Sequence, residues 1–206
     1  MKKSFDESLI AFSESEANLN LSRYNFFSDC NKNLFLSKYY QPYEESLERY
    51  FFNLHRLFAD GLHDKNIKEG INSKDPDLRT SVLQIIKDGF FSDSFMQEIA
   101  RDLLILDIKG NDNDRTLVGQ ILSRKYSEKS LLIELLPDCI SQCFSELDTY
   151  AEDVFYVYQN SWYIMLILNA ENLLKEHIRF GENHENPEVR ELAAEYKIDM
   201  EQALRP

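Results

Sequence analysis

The chain has 206 residues, 43% of them hydrophobic, with five Pro, six Gly and a formal net charge of −13. That hydrophobic share excludes a disordered chain, and so few turn-forming residues speak against a sheet protein and for helices. A surface this acidic repels phosphate backbones and anionic lipid, so neither nucleic acid nor a membrane is expected as partner.

The N-terminal "MKKSFDESLI" places Asp6 and Glu7 where a signal peptide would need an apolar run, so no signal peptide is expected. Residues 1–72 form an aromatic-rich helical region, with 13 aromatics between Phe5 and Phe58. Within it, residues 41–63 carry Pro42 near a first helical position. Leu47, Phe51, Leu54 and Phe58 then come at steps of four, three and four, one face of a helix.

Residues 73–206 continue as a second helical region, expected to pack with the first as one domain. Over 75–88, Asp75 caps, Pro76 takes the first turn, Leu78, Val82, Ile85 and Ile86 form the stripe, and Gly89 ends the helix. Ser94 with Gln97 matches a capping box ahead of Phe95, Ile99, Leu103 and Leu106. "KGNDNDR" (109–115) reads as a loop before an apolar stripe from Leu117 through Ile121 and Leu122. Ser127 is expected to start the next helix, and Pro137 to kink or divide it. Residues 151–180 read as one long, nearly all-round apolar helix, with a strand at "VFYVY" (154–158) as the competing reading. Its apolar core, 154–168, is interrupted by Gln159, Asn160 and Ser161 and is too short to span a bilayer.

One motif recurs. "DPDLRTSV" (75–82) and "NPEVRELA" (186–193) share an Asp or Asn, then Pro, an acid, a branched apolar residue and Arg. Arg115 in "NDNDRTLVGQIL" is a weaker echo, so Arg79, Arg115 and Arg190 are spaced 36 and 75 residues apart, near one and two units of about 37. A helical unit that cannot bury its own face can bury it by stacking on copies of itself. The alternative is that Asp/Asn-Pro-acid is only a common helix start. The motif resembles the HEAT or armadillo-like α-solenoid repeat, in which D-P-x-V-R-x-x-A opens a helix. The second copy fits well, and the first departs at Val82. The resemblance implies an all-α, irregular helical array or α-solenoid. It makes Asp75, Pro76, Asn186, Pro187, Arg79 and Arg190 structural, each Arg buried against a carboxylate of a neighbouring helix, and Ala193 a close-packing position.

Signatures of catalysis are sparse. The chain has no phosphate loop, G-x-G-x-x-G, H-E-x-x-H or G-x-S-x-G. Cys139 and Cys143 share a helical face without a third ligand nearby, so buried reduced thiols are expected in place of a metal site. With Cys30 they make an odd count without framework spacing, which points to a reducing cytoplasm. His177 and His184 sit among acids and are expected at the surface. His55, His63 and Asp64 form a faint metal-hydrolase pattern with too short a separation. The HEAT-like DNA glycosylases need a basic groove, the opposite of this charge.

Most of the negative charge lies late in the chain, where residues 126–206 hold 6 basic and 16 acidic side chains. At 100° per residue, Glu188, Glu191, Glu195 and Asp199 fall within about 80° of one another. They lie beside an apolar stripe of Val189, Leu192, Ala193, Tyr196, Met200 and Ala203, and Glu182 and Glu185 extend the acidic surface upstream. Like charges so spaced destabilise a helix slightly, which makes the row a candidate docking surface for a cationic partner. The other reading is a solvated acidic face. The expected function is therefore binding without catalysis or cofactor, to a basic protein. In its broad character the chain resembles acidic bacterial immunity proteins, which implies a basic toxin, such as a contact-dependent inhibition nuclease, as partner. A helical-repeat adaptor binding a peptide or protein is the alternative, and a helical metal-dependent hydrolase the next.

Overall fold

A computed structural model describes residues 5–29, 38–60, 62–126, 129–147 and 152–203. Among these residues the protein is all-α, with ten helices and no strand. No helix among them is long and apolar enough to cross a membrane. The chain divides into two compact units, Met1–Gly70 and Ile71–Pro206.

In the first unit, α1 (Phe5–Asp29) and α2 (Tyr40–Asp60) form an antiparallel hairpin. Ser8 donates to Asp60 Oδ2 at 2.7 Å near one end, and Phe26 stacks on Tyr43 at 5.0 Å near the other. The core is Phe12, Leu19 and Phe26 of α1 against Tyr50, Leu54 and Leu57 of α2. The expected α2 stripe is therefore rotated, since Phe51 and Phe58 are exposed and Tyr50 and Leu57 take their place inside. Both sets have helical spacing. Tyr50 wins because its ring meets Phe12 at 5.2 Å, a contact that spacing alone does not reveal. Helix α3 (Asp64–Ile71) comes next, with Ile67 and Ile71 buried.

The second unit is built from α4 (Pro76–Asp88), α5 (Asp93–Lys109), α6 (Asp112–Lys125), α7 (Ser130–Ser145), α8 (Glu152–Leu168), α9 (Glu171–Glu182) and α10 (Pro187–Ala203). Helices two apart in sequence pack on one another: α4 on α6, α5 on α7, α6 on α8 and α8 on α10. The even-numbered helices begin at residues 76, 112, 152 and 187, so their starts recur every 36, 40 and 35 residues. Helix α5 touches α6, α7 and α8, and Ile99, Ala100, Leu103, Leu104 and Ile108 along it are fully buried.

The start of α4 is as expected: Asp75 accepts from the Asp77 and Leu78 N–H groups, Pro76 opens the helix, and Gly89 ends it. Elsewhere boundaries shift. Ser92, not Ser94, caps α5 by accepting from the Phe95 N–H at 3.3 Å. The expected loop at 109–115 shrinks to Gly110 and Asn111, because Asn111 caps α6 through the N–H groups of Asn113 and Asp114. A Cβ at Gly110 would lie 2.3 Å from the Leu106 carbonyl oxygen, so only glycine allows so tight a turn. Ser127 lies outside the described residues. Pro137 does not divide α7: the helix runs from Ser130 to Ser145 with that proline exposed on its surface.

The long helix expected over 151–180 is two helices. Asn169 adopts a left-handed conformation (φ 55°). The Asn169 N–H then donates to the Leu166 carbonyl and the Ala170 N–H to the Met165 carbonyl, the paired bonds of a Schellman stop. Asn tolerates this conformation better than most residues after Gly, which is why the break needs no glycine.

Candidate functional site

Helix α10 presents the acidic row. Asn186 accepts from the Glu188 N–H at 2.9 Å and Pro187 opens the helix. Val189, Leu192, Ala193 and Tyr196 are buried, and Met200 is half-buried. Tyr196 lies flat on Trp162 of α8, with ring centroids 4.2 Å apart and planes 6° from parallel. A Cβ at Gly181 of α9 would stand 2.7 Å from the Ala193 Cβ and 2.3 Å from the Tyr158 hydroxyl. Two small residues thus let α9 and α10 approach closely.

With its apolar face locked, α10 turns Glu188, Glu191, Glu195 and Asp199 outward. All four are exposed, and none forms a hydrogen bond or ion pair through its side chain with a described residue. Successive members stand about one turn apart, roughly 5 Å along the axis. Such a row presents carboxylates at fixed spacing to solvent. Glu182 is not among the free acids, since it binds Lys197 at 2.7 Å across α9 and α10. Glu185 is exposed in the turn before α10.

The two motif arginines share a local geometry and differ in their surroundings. The Arg79 Nη1 donates to the Ser73 carbonyl at 2.7 Å, and the Arg190 Nη1 donates to the His184 carbonyl at 2.6 Å, each six residues upstream. Arg79 also reaches α6, where Nε and Nη2 both donate to Asp114 Oδ2, at 3.1 and 2.8 Å. Asp114 is fully buried. Arg190, expected buried against a carboxylate, is exposed and holds only carbonyls, of His184 and Glu185, because no later described helix packs over it.

Arg115 stands four residues after its cap, Asn111, as Arg79 does after Asp75. It donates to Asn160 of α8 and to Asp112, and Asn160 in turn donates to the Ile108 carbonyl at 2.8 Å. These residues line a polar cleft of about 290 Å³, together with Lys109, Asp153 and Tyr156. Beside this arginine is a group that the sequence motifs do not single out. Asp107 of α5 is buried, and its Oδ2, like the Arg115 Nε, has no hydrogen-bond partner among the described residues. Burial pushes its carboxyl up to about 7, with the Arg115 charge pulling partly the other way. The signal available in the sequence is an acid at a core-facing position, between Leu103 and Leu104 on one side and Ile108 on the other.

His177 is buried rather than at the surface, with its ring 4.0 Å from that of Tyr158. Its Nε2–H donates to the Tyr158 carbonyl at 2.9 Å, and burial pushes its pKa down to about 4, so it is neutral. Cys139 and Cys143 are free and buried, and burial pushes the Cys143 thiol up to about 11. Cys30 lies outside the described residues. His55, His63 and Asp64 are all exposed. No three His, Cys, Asp or Glu side chains among the described residues are grouped so as to hold a metal ion.

No family model matches the chain. No curated protein and no solved structure matches it either.

Proposed function

We propose that the protein is a non-catalytic binding protein that captures a basic protein partner through the outward face of α10. The observation that carries this reading is the row Glu188, Glu191, Glu195 and Asp199, exposed and without cationic partners among the described residues, on a helix whose other face is locked. Long-range attraction speeds encounter, and carboxylates that become desolvated against the partner's cations slow release. A rigid helix presents these charges without a large ordering cost on binding.

The HEAT-like reading of the second unit belongs to the same proposal. It is supported by packing between helices two apart, by starts recurring near a fixed interval, and by the rungs from Arg79 to Asp114 and from Arg115 to Asn160. Such arrays commonly serve as binding scaffolds. The sharpest form of the proposal is an immunity protein acting in a reducing cytoplasm on a basic toxin domain, such as a contact-dependent inhibition nuclease. Acidity and the free buried thiols support that form.

The test is capture of the partner from the protein's own cell lysate, then affinity measured across salt. Raising salt from about 50 to about 500 mM should weaken the complex at least tenfold, because exposed attraction is screened over roughly 10 Å at 0.1 M. Glu191→Lys with Glu195→Lys should weaken it further while leaving the circular dichroism spectrum unchanged. Normal binding by that variant, with affinity indifferent to salt, would reduce the row to a solvated face.

A further inference from the structure

A second surface on the same unit has the properties of an anchor pocket. Helix α5 packs closely on α7, but α7 and α9, the next pair in the same alternation, do not pack closely although both rest on α8. Between them lies a groove of about 270 Å³. Ile140 and Phe144 form one wall, Leu173 and Phe180 the other, and Met165 of α8 lies beneath. The Phe144 and Phe180 rings meet at 5.2 Å, and Phe180 remains 46% exposed. Large apolar side chains left open along a concave surface mark an interaction site more often than a structural accident.

The charges around the groove say what could fill it. Glu176 lines it, and Glu134 lies seven residues before the lining residue Ser141, on the same face of α7. Asp138 is exposed on the adjoining flank of α7. None of these three carboxylates pairs with a described residue, whereas Glu146, Glu171 and Glu182 hold Lys109, Lys175 and Lys197. Of the exposed cations next to Glu176 in sequence, Lys175 is held by Glu171, and Arg179 lies about 60° around α9 from Glu176, on the side away from Leu173 and Phe180. An acidic or neutral occupant would leave these acids uncompensated. A cationic one would pair them while filling the apolar space.

We propose that this groove receives the apolar anchor side chains of a Lys- or Arg-rich amphipathic helix on the partner, which deepens, and rests on, the reading of the chain as a binder of basic protein. The volume suits one or two anchors such as Leu or Phe. A helix supplies them one turn apart on one stripe, with cations on the flanks that meet Glu134, Asp138 and Glu176. Anchors of this kind, seated in a preformed pocket, carry most of an interface's affinity.

The test uses the full chain and a fluorescein-labelled synthetic peptide of about five helical turns, with Leu at i, i+3, i+4 and i+7 and Lys elsewhere. A peptide of identical composition and scrambled order is the control. By fluorescence anisotropy the ordered peptide should bind at least tenfold more tightly than the scrambled one. Phe180→Ser should weaken it at least tenfold, and Ser141→Trp, which plugs the groove from an exposed position, should do the same if Phe180→Ser misfolds. Replacing Glu134, Asp138 and Glu176 by Gln, Asn and Gln should weaken the ordered peptide severalfold and flatten its salt dependence. Glu191→Lys with Glu195→Lys should weaken the ordered and the scrambled peptide alike and keep their ratio, whereas Ser141→Trp should abolish the ratio, so failure of the α10 reading and failure of the groove give different results. Equal binding of ordered and scrambled peptides, or unchanged binding to the plugged groove, overturns the proposal.

Discussion

Asp107 and His177 are both buried, and both favour their neutral forms, yet they push stability in opposite directions with pH. The folded pKa of Asp107 is raised to about 7, so its contribution is full below the unfolded carboxylate value and is lost as pH rises through 7. The folded pKa of His177 is lowered to about 4, so its contribution is present above the unfolded imidazole value and is lost as pH falls toward 4. A tenfold change in proton affinity between folded and unfolded chain is worth about 1.4 kcal/mol, so across mildly acidic pH the two slopes largely offset each other. Asp107→Asn should therefore match the parent near pH 4 and exceed it by on the order of 2–4 kcal/mol at pH 8. His177→Gln should have the reverse signature, gaining on the parent as pH falls below about 6.5. Urea denaturation of the three proteins at several pH values checks both. Gly181→Ala belongs to the same scale. Its methyl group would meet the Tyr158 hydroxyl at 2.3 Å and Ala193 at 2.7 Å, so it should destabilise by about 1–3 kcal/mol despite the gain in helix propensity.

Helices α4 and α10 open with the same local device: a capping Asp or Asn, a proline, and an arginine that clasps the carbonyl six residues upstream. Beyond that shared opening the two arginines meet different surroundings, and mutation should expose the difference. Arg79→Ala strips the partner from a fully buried Asp114 and should cost on the order of 3–5 kcal/mol. Arg190→Ala removes only exposed bonds to carbonyls and should cost less than about 1 kcal/mol. Thermal melts of the two variants decide it. The recurring motif thus made the helix starts legible in the sequence, because caps and first-turn prolines act locally. Tertiary partners were not legible, because Asp114 and Asn160 come from helices far along the chain. The same distinction explains α2, where spacing predicts a helix but only Phe12 selects the buried stripe. It also explains Asn169, whose stop conformation is open to few residues yet is not compelled by the sequence.

For the whole molecule, the class was legible from composition, and the exposure of Glu188, Glu191, Glu195 and Asp199 on α10 was legible from their helical spacing beside an apolar stripe. The groove between α7 and α9 was not legible, since it arises where the two helices meet through Phe144 and Phe180 without packing closely along their lengths. Neither was the burial of His177, which looks like a surface residue among acids until α8 is packed across it. Within the second unit, α5 is the helix enclosed on most sides, by α6, α7 and α8. Its backbone amides should open only with the cooperative unfolding of that unit and exchange most slowly of all. Hydrogen–deuterium exchange read by mass spectrometry should rank α5 as the most protected helix of the unit. Faster exchange in α5 than in α10 would contradict this picture of its core.

Trp162 is the chain's single tryptophan, and it lies between Tyr196, stacked on it at 4.2 Å, and His177, whose ring centre is 6.5 Å away. The protein therefore carries an optical probe where α8, α9 and α10 meet. A buried indole emits at short wavelength, and a nearby imidazolium quenches it, so its emission reads both the seating of α10 and the charge on His177. Acid titration and loosening of the last helix can both be followed on one native chromophore without a label.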